Sequence, residues 1–188
     1  MQEKIYLRPL SLNDINETYL SWVNDKSVTE YLEIGKKTLH RIDLVKYLEI
    51  SPTVGRTNYA IITESSQQHI GNCSIYGVEI EKSKFEIGYF IGEKFFWGGH
   101  YSSMVIFCLL KIGFIKMGLD KCIGWVNENH IKARMTNKFS GFKEIKKVKR
   151  YSAKADKDVS CVELEIFKED WLKNTELLIS QYPELYEV

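Results

Sequence analysis

The chain has 188 residues, 26 basic and 25 acidic side chains, a formal net charge of +1, and 44% hydrophobic and 13% aromatic residues. That is enough apolar material for one folded domain over residues 1–188, and the balanced charge leaves no electrostatic footprint for nonspecific nucleic-acid binding. No apolar run nears the roughly 20 residues a membrane span needs, and Met1-Gln2-Glu3-Lys4 lacks the basic-then-apolar pattern of a secretory leader.

Residues 5–10 read as a short strand ending at Pro9. Ser11 or Asn13 caps a helix running to about Val23, with Leu12, Ile15, Tyr19, Leu20 and Val23 on one face. Asn24-Asp25 breaks it. A second helix covers His40 to Ile50, before Ser51-Pro52. Strands follow at 59–63, 70–78 and 85–91, and their short connections predict an antiparallel meander. An apolar helix spans Ser102 to Met117 and closes at Gly118. Next come a strand at 121–126, a helix from about Asn129 to Phe139 ended by Gly141, and a hairpin of 142–148 with 159–167. Ser152 to Asp158 form its loop, and a helix with a tail fills 169–188. The order describes an α+β protein around one sheet.

Cys73, Cys108, Cys122 and Cys161 lie far apart, and no Cys/His cluster has metal-ligand spacing. They read as reduced thiols of a cytoplasmic protein, and no metal is expected.

The stretch from Glu86 to Val105 carries most of the functional signal. It is a strand, a glycine-containing loop and a long helix. Backbone N–H groups at a helix start lack intrahelical partners, and the dipole favours negative charge there, so the junction suits a phosphate-bearing cofactor.

Several segments together resemble the GNAT superfamily of acyl-CoA-dependent N-acyltransferases, in its ribosomal-protein-alanine acetyltransferase-like branch. They are Leu7-Arg8-Pro9-Leu10 with Asp14, Trp22-Val23-Asn24-Asp25 with Val28 and Tyr31-Leu32, Glu86-Ile87-Gly88-Tyr89, Phe96-Trp97-Gly98, and Asn129, Ala133, Lys138 and Gly141-Phe142. The resemblance spans about residues 4 to 170. It implies a mostly antiparallel central sheet flanked by helices, with splayed central strands. It also implies acetyl-CoA as co-substrate, its pantetheine arm along the backbone of Phe90, Ile91 and Gly92. The pyrophosphate would lie on the amides from Trp97 through Gly98, Gly99, His100, Tyr101, Ser102 and Ser103, with Asn129 facing the arm or the adenosine. Trp22, Asn24 and Asp25 fall where relatives shape the acceptor pocket; the bland reading is a helix end packed by Trp22.

The chain departs from the family pattern at three points. His100 stands where the loop expects glycine, Ser140 is an extra residue before Gly141-Phe142, and Met135-Thr136 replaces a tyrosine that many relatives use as an acid. A β-carbon at His100 could crowd the pyrophosphate, with Gly99 supplying the backbone freedom instead. His100 could equally donate to phosphate, cap the helix or act in catalysis.

Acetyl transfer to an amine needs a proton acceptor, a donor for the thioester oxygen and stabilisation of the departing thiolate. Glu86 is the candidate base, or an exposed strand glutamate. Tyr89 is a candidate acid toward the thiolate, or a core aromatic. The basic run Lys143, Lys146, Lys147, Lys149 and Arg150 is a solvated face, or an attractor for an anionic acceptor. The acceptors implied are a nucleotide-linked amino sugar or a protein N-terminus, with polyamines third. The rival is a non-catalytic acyl-CoA-binding or interaction module. A homodimer could form through an edge strand or the last helix.

Overall fold

The computed structural model describes residues 3–98 and 100–183. Its sheet contains β1 (Ile5–Pro9), β2 (Thr57–Thr63), β3 (His69–Glu79), β4 (Lys84–Ile91), β5 (Lys121–Asn127), β6 (Lys143–Ser152) and β7 (Lys157–Phe167). The spatial order is β1-β2-β3-β4-β5-β7-β6. Every neighbouring pair is antiparallel except β4 and β5.

Alternation along β4 sorts its side chains between two faces. Phe85, Ile87, Tyr89 and Ile91 join the larger core beneath α4 (Tyr101–Lys111). Phe90 points the other way, into a smaller cluster built by α1 (Glu17–Asn24) and α3 (Arg41–Ile50) around Ile15, Tyr19, Trp22, Val23 and Leu44. Helix α4 is buried on nearly all sides, which explains its unbroken apolar sequence. It runs on through a wider π-type turn at Ile112–Lys116. Helix α5 (Ile131–Phe139) adds Ala133 to the larger core, and α6 (Lys168–Gln181) adds Trp171 and Leu178.

The first helix departs from expectation. It starts at Glu17, capped by Asn16, whose Oδ1 accepts from the Tyr19 amide at 2.9 Å. Ser11 cannot serve because its amide and hydroxyl both donate to the Asp14 carboxylate, at 2.8 and 2.9 Å, within a 3-10 turn. Leu12 is therefore 48% exposed rather than on the apolar face. The β6–β7 hairpin is also longer than expected, with residues 153–156 as its connection. The expected tail, residues 184–188, lies outside the described residues.

Arg8 forks onto Asp14, with Nη2–Oδ1 at 2.6 Å and Nη1–Oδ2 at 2.8 Å, and ties the first strand to the turn that follows. Burial alone would raise the Asp14 carboxyl, but Arg8 and Ser11 overcome it and hold the group at about 2. The folded value lies below the ordinary 3.8, so this stabilisation is present at neutral pH and is lost as pH falls from near 4 toward 2. Gly92 sets a second constraint: a β-carbon there would lie 2.1 Å from the Trp22 ring.

Two stability predictions follow from these contacts. Asp14→Asn lowers the unfolding free energy by about 1–2 kcal/mol at pH 7, a figure discounted for the solvent around Arg8, and flattens the acid limb of stability. Gly92→Ala costs more, about 2–3 kcal/mol, because Trp22 must leave its place in the smaller core. Urea unfolding at several pH values measures both; a Gly92→Ala protein as stable as the wild type would refute the close packing.

Candidate active site

Strands β4 and β5 pair in parallel only at Lys84–Lys121, Phe85–Cys122 and Glu86–Ile123. Beyond that point β4 stays paired with β3 as far as Ile91, and β5 with β7 as far as Asn127. A wedge-shaped gap opens between them, with Glu86 at its vertex. The Gly92 amide donates to the Ile70 carbonyl at 2.9 Å. Antiparallel alternation then turns the backbone groups of Gly92 and Phe90 toward β3, and those of Ile91 and Tyr89 toward the gap. The Trp97 indole donates to the Ile91 carbonyl at 2.8 Å, so the Ile91 amide is what that residue offers the gap. Of the three backbone positions expected to line the pantetheine arm, Ile91 faces it; Phe90 and Gly92 are committed to β3.

The gap leads to the start of α4. Tyr101, Ser102 and Ser103 are the first three helical residues, the positions whose amides lack intrahelical partners. The Trp97 amide is already bonded to the Lys94 carbonyl at 3.0 Å, so it does not join them. Gly98 has φ +83, and a β-carbon there would meet nothing within 4 Å. The positive φ thus falls on Gly98, while His100 has φ −97, which any residue adopts. His100 therefore imposes no backbone penalty. Its ring packs against Tyr182 and Phe139, with centroids 4.6 and 5.8 Å away. Gly99 lies outside the described residues. An open loop with a left-handed glycine, orphaned helix amides and a splayed strand edge fit a pantetheine pyrophosphate.

Tyr89 reaches this junction from below. It packs against the larger core with its phenol near Ser102; burial pushes it up to about 12, with Ser102 acting against the rise. Tyr89 is thus a core-packed aromatic whose hydroxyl lies near the α4 N-terminus. Asn129 is exposed between β5 and α5, its amide donating to Asn127 Oδ1 at 3.0 Å.

On the opposite face, Glu86 is half-buried. Burial pushes its carboxyl up, and Arg150, Lys84 and Arg56 act against the rise. The Arg56 guanidinium lies 3.9 Å from the Tyr76 ring centroid and donates to Ser74 Oγ at 2.7 Å. The Arg150 guanidinium lies 3.8 Å from the Trp125 centroid. Sequence reasoning missed Arg56, Tyr76 and Trp125, because only the sheet order brings them to Glu86. The neighbouring lysines are engaged: Lys143 with Asp170, Lys146 with Glu163, Lys147 with Glu128, and Lys149 with Ser160.

The residues expected to shape the acceptor pocket do other work. Trp22 is 4% exposed and packs under Gly92 and edge-on to His69 at 5.1 Å. Asn24 bridges the Leu20 and Leu39 carbonyls and the Leu39 amide. Asp25 caps the short helix α2 (Lys26–Thr29) through the Ser27 amide and pairs with Lys94 at 2.6 Å. Lys94 and Ser27 hold its carboxyl below the usual range. Trp22 belongs to the smaller core, Asn24 ties the end of α1 to the chain at Leu39, and Asp25 ties α2 to the segment before α4.

Among the described residues no group of three or more His, Cys, Asp or Glu side chains could hold a metal ion, and no helix is long and apolar enough to cross a membrane.

The sequence matches the acetyltransferase (GNAT) domain family over residues 4–143. The chain belongs to that family and is an acetyl-CoA-dependent acyltransferase. It is 27% identical over 146 residues to the uncharacterized N-acetyltransferase p20 of Bacillus licheniformis, covering 76% of this chain and 81% of that protein. The fold superposes on a GNAT-family acetyltransferase from Bacillus anthracis with TM-score 0.75 and 16% identity, covering 90% of this chain and 98% of the other. It also superposes on the spermidine N-acetyltransferase of Vibrio cholerae, whose structure holds CoA and spermine, with TM-score 0.77, 15% identity and the same coverages of 90% and 98%. These likenesses concern the fold.

The loop geometry separates the two residues in question. Gly98→Ala forces a side chain into a left-handed conformation and weakens acetyl-CoA binding about tenfold. His100→Ala changes it less than about threefold. Calorimetric titration decides; the reverse ranking would place the loop's essential conformation at His100.

Proposed function

We propose that this protein moves an acetyl group from acetyl-CoA directly to a primary amine, with Glu86 as proton acceptor. One observation carries the reading: β4 and β5 part immediately after Glu86, so the carboxylate stands at the vertex of the gap. When bound, acetyl-CoA supplies an acetyl group activated as a thioester and a sulfur leaving group. The amides of Ile91 and of Tyr101, Ser102 and Ser103 line its path, with Gly98 giving the pyrophosphate room. An amine arriving on the Arg56–Arg150 side meets Glu86, which accepts its proton as the carbon–nitrogen bond forms and the nitrogen grows acidic. No covalent enzyme intermediate is required, since holding two substrates adjacent supplies several kcal/mol by itself.

Tyr89 has a narrower role than a full acid. At about 12 its phenol is a weaker acid than a free thiol, near 8.5, so it stabilises the departing sulfur by donating a hydrogen bond while keeping its proton. This also answers the absent tyrosine in α5. The backbone at His100, at a φ open to any residue, weighs against a non-catalytic acyl-CoA-binding module.

Two acceptors suit this reading, in line with a ribosomal-protein-alanine acetyltransferase-like branch: a nucleotide-linked amino sugar and a protein N-terminus. A polyamine, the ligand of the Vibrio cholerae neighbour, is less well matched. Glu79, one carboxylate available to it, is paired with Lys82 and Lys84. Four cysteines free of disulfides accord with a cytoplasmic setting.

Glu86→Gln lowers kcat/KM for amine acetylation by about 100-fold or more and leaves acetyl-CoA affinity within about twofold. Activity needs the carboxylate form, and burial raises its pKa. The wild-type rate therefore falls, as pH drops, at a higher pH than an ordinary glutamate near 4.5 dictates, and the variant lacks that limb. Thiol release across an amine panel measures both; full turnover by Glu86→Gln would remove Glu86 from the chemistry.

A further inference from the structure

Building on that transferase reading, we propose that the acceptor amine carries a phosphate group, held by Arg56 and Arg150 beside Glu86. Two guanidinium groups converge on this one carboxylate from opposite halves of the sheet. Arg56 comes from the segment leading into β2, and Arg150 from the far edge strand β6. Both act on the Glu86 carboxyl and on the Tyr76 phenol, which places all four groups in one electrostatic neighbourhood.

Each guanidinium lies over an aromatic ring, Arg56 over Tyr76 and Arg150 over Trp125. Such contact restrains the group; Arg56 spends Nη1 on Ser74 Oγ, and the remaining edge donors of the two arginines can meet a planar or tetrahedral oxyanion. Neither arginine has an ion-pair partner among the described residues. The carboxylates around them are engaged elsewhere. Glu163 pairs with Lys146, Glu165 with Lys121, and Glu79 with Lys82 and Lys84. Glu33 accepts from the Ser152 hydroxyl and the Lys154 amide.

Lys84 also acts on Glu86 and shares Glu79 with Lys82, so with the two arginines the surroundings of Glu86 carry an excess of positive charge. A polycationic acceptor would meet net repulsion there. A phosphate would pair with both forks and leave Glu86 for the amine. Within the basic run of the hairpin, Lys143, Lys146 and Lys147 are ion-paired and Lys149 bonds to the neutral Ser160 hydroxyl, while Arg150, at its end, lies over Trp125 and acts on Glu86.

The test uses the full chain saturated with CoA, so that the cofactor's own phosphate sites are filled. Calorimetry then follows UDP against uridine and glucosamine 6-phosphate against glucosamine, the two anionic probes separating a nucleotide diphosphate from a sugar phosphate. At least one anionic probe binds tenfold or more tightly than its neutral counterpart. Arg56→Ala and Arg150→Ala each weaken that binding about tenfold, with CoA affinity and thermal midpoint unchanged. Arg56→Lys and Arg150→Lys recover part of it, which a fold defect would not allow. Equal binding of charged and neutral probes, or variants that bind as the wild type does, overturns the proposal. Failure of the wild type to bind CoA would instead strike the acetyltransferase reading, and the UDP titration would still report on the arginines.

Discussion

Strands β4 and β5 share three residue pairs and then separate, and the functional geometry depends on that separation. Each strand is claimed by its other neighbour, β4 by β3 and β5 by β7, along almost its whole length. Two firmly paired half-sheets cannot both keep their twist and also stay joined at a short parallel seam. The result is an edge inside a sheet. Such an edge is ordinarily a hazard, because its N–H and C=O groups are open to any strand. Here it faces the start of α4, and it is open to an extended ligand arm.

The sheet's two faces divide the labour. Beneath α4, an unbroken apolar core fixes the helix against β4, so the orphaned amides at its N-terminus stay in register with the gap. On the other face, α1 and α3 cover only the first half of the sheet. Trp22 presses onto Gly92 there, and Asp25 is held to Lys94, anchoring the loop that leads into α4. The uncovered part of that face holds Glu86 with Arg56 and Arg150. Lys154, from the β6–β7 connection, reaches over to the Thr29 and Glu30 carbonyls and ties the hairpin to the α2 region. Acceptor and cofactor would approach one carboxylate from opposite sides of the same sheet.

Local signals were legible in the sequence. Short connections between apolar strands marked the meander, a strongly apolar run marked α4, and Gly118 and Gly141, both at positive φ, marked the ends of helical segments. Three things were not legible. Ser11 caps the short 3-10 turn Leu12–Asp14 and donates its amide and hydroxyl to Asp14, while Asn16 caps α1, a division that spacing alone does not resolve. Trp22, Asn24 and Asp25 resembled a pocket motif and equally a packed helix end, and the sequence left both readings open. Arg56 and Trp125 carry no local pattern at all; Arg56 gains meaning only once β2, β3 and β4 pair, and Trp125 only once Arg150 lies over it.

The account stands or falls on whether the gap between β4 and β5 receives the cofactor. Amide hydrogen exchange, resolved by residue with and without CoA, reads this directly. The account predicts new protection at Tyr89, Ile91 and Tyr101 through Ser103, while Gly92, already bonded to Ile70, is protected in both states. Binding that leaves Tyr89 and Ile91 exchanging as before, or that protects residues away from the gap, would contradict it.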